Sequence, residues 1–129
     1  MSQPPTPELA AFLHGEIDPR DFRHADHMRM AFEMLARHPF LEAATAVSAA
    51  LKTMARRAGA PGAYHETITV AFLAVIGERC AAGGFGDFEA FAAANPDLLD
   101  KTVLTRWYEA DKLGGETARR TFVLPDPVR

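Results

Sequence analysis

A single cysteine, Cys80, stands in 129 residues. No internal disulfide can form, and its place after an apolar helical run points to a buried thiol before a reactive one. Long apolar runs are missing too. The longest, Val70 to Ile76, is far shorter than the ~20 residues a membrane-spanning helix needs, and the opening MSQPPTPE has neither the basic nor the apolar region of a secretion signal. Positive charge is not in excess: 14 Lys and Arg stand against 17 Asp and Glu, a net charge of -3. No basic face is available to neutralise phosphates, which argues against a dedicated nucleic-acid binder. Neither an internal repeat nor a long linker is present. What is there is an ordinary globular composition, 48% apolar and 24% charged, and an abundance of alanine that favours helices. These features predict one cytoplasmic domain over residues 1–129.

Helix signals follow one another along the chain. Thr6, Pro7 and Glu8 form a start, and Gly15 closes the short segment carrying Leu9, Phe12 and Leu13. Asp18 and Pro19 repeat that start, and the next helix is expected to run to about His38. From Phe40 to Ala58, Leu41, Ala44, Val47, Leu51, Met54 and Ala58 recur at three and four, the mark of an amphipathic helix. Tyr64 to Cys80 reads as a second core helix although Thr67 to Val70 alone would suit a strand. Asp87 can cap a short helix with Phe88 and Phe91, and Asn95-Pro96 opens another that holds Leu98, Leu99, Val103, Leu104 and Trp107 and ends at Gly114 and Gly115. A last helical turn is expected around Thr117 to Arg120, with an extended tail over about residues 121–129. The expectation is an all-α bundle of five or more helices joined by short loops.

Chemistry concentrates in histidine. On a helical wheel, His24, His27, Met28, Ala31, Met34 and Leu35 share one stripe, while Asp26, Arg29, Glu33 and Arg37 mark the opposite side as the solvent face. His65 aligns with Ile68, Thr69, Phe72 and Ile76. Three core-facing imidazoles at early helical turns suit an open site for a divalent metal, Zn, Fe, Cu or Mn, with His24, His27 and His65 as ligands. Glu66 would then be a fourth ligand, an outer partner or a general base. The plainer alternative has each histidine hydrogen-bonding between helices, with Thr69 and Tyr64 as partners. Sharper motifs fail: Thr69 occupies the position where the H-E-x-x-H zinc protease motif needs its second histidine, and Asp26-His27 reverses the H-D order of the HD phosphohydrolases. Gly83-Gly84-Phe85-Gly86 follows no strand and precedes no P-loop lysine, so it reads as a turn.

The segments FRHADHMRMAFEML and YHETITVAFLAVI, followed by LLDKTVLTRWY and ETARRTFVLPDP, resemble a family of small, functionally uncharacterised bacterial proteins. The likeness covers about residues 20–127, in the pattern F-x-H-x-x-H-x-R-x-A, then Y-H-E-T-x-T. It implies no activity. It singles out His24, His27, Arg29, Tyr64, His65, Glu66, Thr67 and Arg119 as motif positions.

Late in the chain, Arg106, Trp107, Tyr108 and Arg119, together with Tyr64, are candidates to line a substrate pocket, with the arginines as counter-charges to an anion. A Trp-Tyr pair packed against the bundle is the competing reading. Function is therefore expected to be metal-assisted chemistry on, or binding of, a small molecule. The alternative is a non-catalytic module that associates with a partner or with itself through the alanine-rich Phe40 to Ala58 helix.

Overall fold

A computed structural model describes residues 4–127. The first three residues of the opening segment and the last two of the expected tail lie outside the described residues. The first helix, α1 (Pro7–Leu13), begins where expected: the Thr6 hydroxyl accepts the Leu9 N–H at 3.2 Å and Pro7 occupies the first turn. Such a cap contributes about 1 kcal/mol. Gly15 follows the helix with φ +70, and a Cβ there would meet Thr53 Cγ2 at 2.9 Å, so both backbone and space require glycine.

Asp18 and Pro19 open only a 3₁₀ turn, Pro19–Asp21, and not the long helix expected. The chain then runs extended through Phe22 and Arg23 before α2 (His24–Arg37). Asp26 explains the restart. Its carboxylate folds back to accept the Arg23 N–H at 2.8 Å, so it serves as an acidic first-turn residue as well as a charge.

Helix α3 (Phe40–Arg57) follows after Pro39, and α4 (Glu66–Ala82) after a 3₁₀ turn at Pro61–Ala63. These two helices pack on each other and on α2, which sets a three-helix centre. α2 is covered beyond the single stripe read from its wheel. Met30 and Phe32 are buried as well as Met28, Ala31 and Met34. The expected solvent face is also partly closed: Glu33 is 8% exposed, because α1 lies over it and the Thr6 hydroxyl donates to its carboxylate at 2.8 Å. Arg37 shares that site, donating to the Glu33 carbonyl oxygen at 2.8 Å. Two charges read as solvated are thus a buried, hydrogen-bonded pair. Leu41 departs in the other sense: it is 76% exposed although it fits the apolar period of α3.

Beyond α4 the chain is built of short pieces. α5 (Phe88–Ala94) starts on the Asp87 carboxylate, which accepts the Ala90 N–H at 2.9 Å, and buries Phe88 and Phe91 against Phe32. The helix expected from Asn95 to Gly114 is broken, its first part into two 3₁₀ turns, Pro96–Leu99 and Val103–Arg106. Asp100 causes the break by accepting the Thr102 N–H and hydroxyl, a local turn that competes with helical pairing. Then come α6 (Ala110–Leu113), the end of the expected segment that is helical and that stops at Gly114 as read, and α7 (Glu116–Arg120). Residues 121–127 are extended and fastened to the bundle: the buried Thr67 hydroxyl donates to the Thr121 carbonyl oxygen at 2.7 Å and accepts the Val123 N–H at 3.1 Å. Tyr108 holds the next carbonyl, donating to Val123 O at 2.9 Å. The architecture is an all-α bundle, with no strand among the described residues. No helix among them is long and apolar enough to cross a membrane.

Candidate functional site

Between α2, α3 and α4 lies a half-open cavity of about 530 Å³. Its walls are Met28 and Ala31 of α2, Val47, Leu51, Met54 and Ala55 of α3, and Ile68, Phe72, Leu73 and Ile76 of α4. The small side chains at Ala31 and Ala55 leave the space that the larger neighbours do not fill. Polar groups gather on the same lining: His24, His27, Tyr64, His65, Thr69 and Lys101. The wheel stripe of His65, Ile68, Thr69, Phe72 and Ile76 accordingly faces one space, and the three histidines read from the sequence border it together.

Their chemistry differs. His65 precedes α4 and caps it, its Nδ1 accepting the Ile68 N–H at 3.1 Å. The ring proton is therefore on Nε2, which donates to the Leu113 carbonyl oxygen at 2.7 Å. Both nitrogens are used, and no lone pair remains for a metal. His24 Nε2 donates to Leu98 O at 2.9 Å, and its ring edge meets Phe72, with centroids 5.0 Å apart. His27 packs on Phe22, centroids 4.5 Å apart, and no described residue hydrogen-bonds either of its nitrogens. His27 is an exposed residue at the mouth of the cavity, with Phe22 against one side of its ring. Desolvation pushes the His27 pKa down to about 4; the like charge of His24 acts in the same sense and Asp26 opposes it. At neutral pH this imidazole is uncharged, with one donor and one acceptor nitrogen. Among the described residues, no group of three or more His, Cys, Asp or Glu is arranged to hold a metal ion.

Tyr64 stands at the edge of the cavity with its hydroxyl turned to other partners. It donates to Glu66 Oε1 at 2.6 Å and lies 2.9 Å from Ser48 Oγ. Burial and the adjacent carboxylate raise its pKa. The Lys52 ammonium sits 5.1 Å from the Tyr64 ring centroid. Glu66 is thus engaged with a phenol and is not part of the cavity wall.

The late candidates are elsewhere. Arg106 pairs with Asp97 at 2.8 Å, beside Arg79, which is the chief cause of that carboxyl's pKa being pulled down to about 2. Trp107 is 38% exposed, Tyr108 is buried under the tail, and Arg119 donates to the Gly62 carbonyl oxygen at 2.8 Å. None of these four lines the cavity. Lys101 does, and it was missed because a lone lysine in a connecting loop has no periodicity or motif to announce it. Cys80 is half-buried and burial raises its thiol pKa, the opposite of an activated nucleophile. The chain matches no protein-family model, no curated protein and no solved structure, so the reading of this site rests on its own geometry.

Proposed function

We propose that this chain binds a small, largely apolar molecule in the cavity between α2, α3 and α4, with His27 meeting the ligand's polar group. One observation carries this reading: an apolar space of about 530 Å³ has at its mouth the exposed His27 imidazole, whose nitrogens no described residue occupies. Pockets of that size and lining suit drug-sized ligands, and a few placed polar groups set orientation. The pKa of about 4 favours binding over proton abstraction, since a base that far below neutrality drives proton transfer weakly. A cytoplasmic setting accords with the single unpaired Cys80.

The test uses N-phenyl-1-naphthylamine, a neutral dye that brightens in apolar sites. Saturable one-site binding, lost when Ala55→Phe fills the wall, supports the proposal. No brightening, or equal brightening in that variant with its helix content intact, overturns it.

A divalent metal, Zn, Fe, Cu or Mn, remains a second reading, favoured by the His24 hydrogen bond to Leu98 O. A ring N–H donated to a backbone carbonyl is how metal-binding histidines are commonly oriented, and it leaves His24 Nδ1 and the His27 nitrogens as donors. Elemental analysis of protein purified without a histidine tag separates the two. About one equivalent of metal, lost in His27→Gln, favours the metal reading, and its absence from folded protein removes it.

A further inference from the structure

The cavity has a charge asymmetry that bears on what enters it. No carboxylate lines it, whereas one ammonium does, that of Lys101. Lys101 makes no ion pair among the described residues, unlike Lys112, which pairs with Asp126 at 3.2 Å. Its place in the fold is set by the loop between the two 3₁₀ turns. Leu98, in the first of those turns, is held by His24, and the Asp100 carboxylate feels the His24 ring, so the start of the loop lies against the first turn of α2. His27 is one turn further along the same face. The exposed Lys101 ammonium and the hydrogen-bonding groups of His24 and His27 therefore collect at one end of the cavity, where the Asp26 and Asp100 carboxylates stand outside the lining, and the apolar walls of α3 and α4 make up the rest.

Building on the proposed binding function, we propose that the ligand is an amphiphilic monocarboxylate, its acidic head at the His27 and Lys101 end and its apolar body between α3 and α4. The space corresponds to about eighteen water volumes at ~30 Å³ each, which accommodates a medium-length chain or a bicyclic body with water left at the head. A cationic head would meet Lys101 with no carboxylate on the lining to balance it. A neutral head would satisfy His27 and gain nothing from the exposed Lys101 ammonium.

The experiment compares decanoate, decan-1-ol and decylammonium at pH 7, each below the concentration at which it forms micelles, by displacement of N-phenyl-1-naphthylamine. Decanoate is expected to bind about two- to five-fold more tightly than decanol, the size of effect one exposed charge gives, and decylammonium least. In Lys101→Gln the decanoate-to-decanol ratio should fall toward unity. Decanol binding as well as decanoate in the wild type, with Ala55→Phe still abolishing both, overturns the acidic head and leaves the cavity reading standing. An unchanged ratio in Lys101→Gln overturns the role of that ammonium. Failure of all three compounds and of the dye overturns the binding function itself.

Discussion

His65 Nε2 donates to the Leu113 carbonyl oxygen at 2.7 Å, which joins the first turn of α4 to the end of α6, 48 residues later in the chain. The same ring caps α4 through Nδ1. His65 is thus a structural crosspiece on the cavity rim, and His27, bordering the same space, is the histidine left with chemistry to offer.

That division predicts different losses at position 65. His65→Ala removes the cap and leaves Leu113 O without its donor, and should cost about 2–3 kcal/mol. His65→Asn keeps a side-chain oxygen able to accept the Ile68 N–H and loses only the link to α6, for about 1 kcal/mol. Urea unfolding of the two variants checks the order. Equal losses would show that the cap contributes nothing.

The His27 ring should report its surroundings directly. Its pKa drops from 6.5 in the unfolded chain to about 4 in the fold. Above pH 6.5 the ring is neutral in both states and leaves stability unchanged. As pH falls from 6.5 toward 4 the unfolded chain takes up a proton that the fold refuses, so stability declines with falling pH; below 4 both states are protonated and the effect is complete. In NMR the His27 Cε1 proton should titrate with a midpoint near 4, and His27→Leu should show a flatter fall in stability over that window. A midpoint near 6.5 would mean that the ring is solvated as freely as in the unfolded chain.

The helices were legible in the sequence wherever local signals act alone. The Thr6-Pro7 start, the Phe40 to Arg57 period and the Asp87 cap each depend on residues within a turn or two of one another. The misreadings have a common origin in contacts that no local pattern carries. Glu33 and Arg37 look solvated on the wheel of α2, and are buried because α1, 27 residues away at Thr6, closes over them. The continuous helix expected from Asn95 to Gly114 fails because Asp100 binds the Thr102 amide and hydroxyl. Within the site, periodicity brought His24, His27 and His65 to one face of each helix, but it cannot say which ring nitrogens find carbonyls. Leu98 and Leu113, the partners that distinguish the three, lie 74 and 48 residues away from the histidines they bind.

Thr67 is completely buried, and its hydroxyl is the clasp of the C-terminal tail. Thr67→Val keeps the shape and removes both hydrogen bonds, leaving Thr121 O and the Val123 N–H without their partner. The cost should be about 1–3 kcal/mol. Because Tyr108 still holds Val123 O, the tail should loosen and not detach. Hydrogen exchange reads this locally, with the Val123 amide losing protection while amides in the middle of α3 keep theirs after correction for global stability. Uniform loss of protection would show that the clasp acts only through the core.

Tyr64 and Glu66 are coupled through the 2.6 Å hydrogen bond from the phenol to the carboxylate. Its strength is set by two opposing features. A charged acceptor makes the bond stronger than a neutral one, and partial exposure of both side chains lets water compete for it. Tyr64→Phe should therefore cost about 1 kcal/mol, toward the lower end for bonds to charged groups. Glu66→Gln keeps an acceptor oxygen and should cost less, and the double variant should cost less than the sum of the two, because either change alone already weakens the same bond. The phenol gives an independent readout. Burial and the neighbouring carboxylate raise its pKa, so in Glu66→Gln the Tyr64 titration, followed by absorbance at alkaline pH, should move down toward the ordinary tyrosine value. An unmoved titration with additive stability losses would mean that the two groups are neighbours without energetic coupling, and that the Glu66 carboxylate is free to serve the cavity beside it.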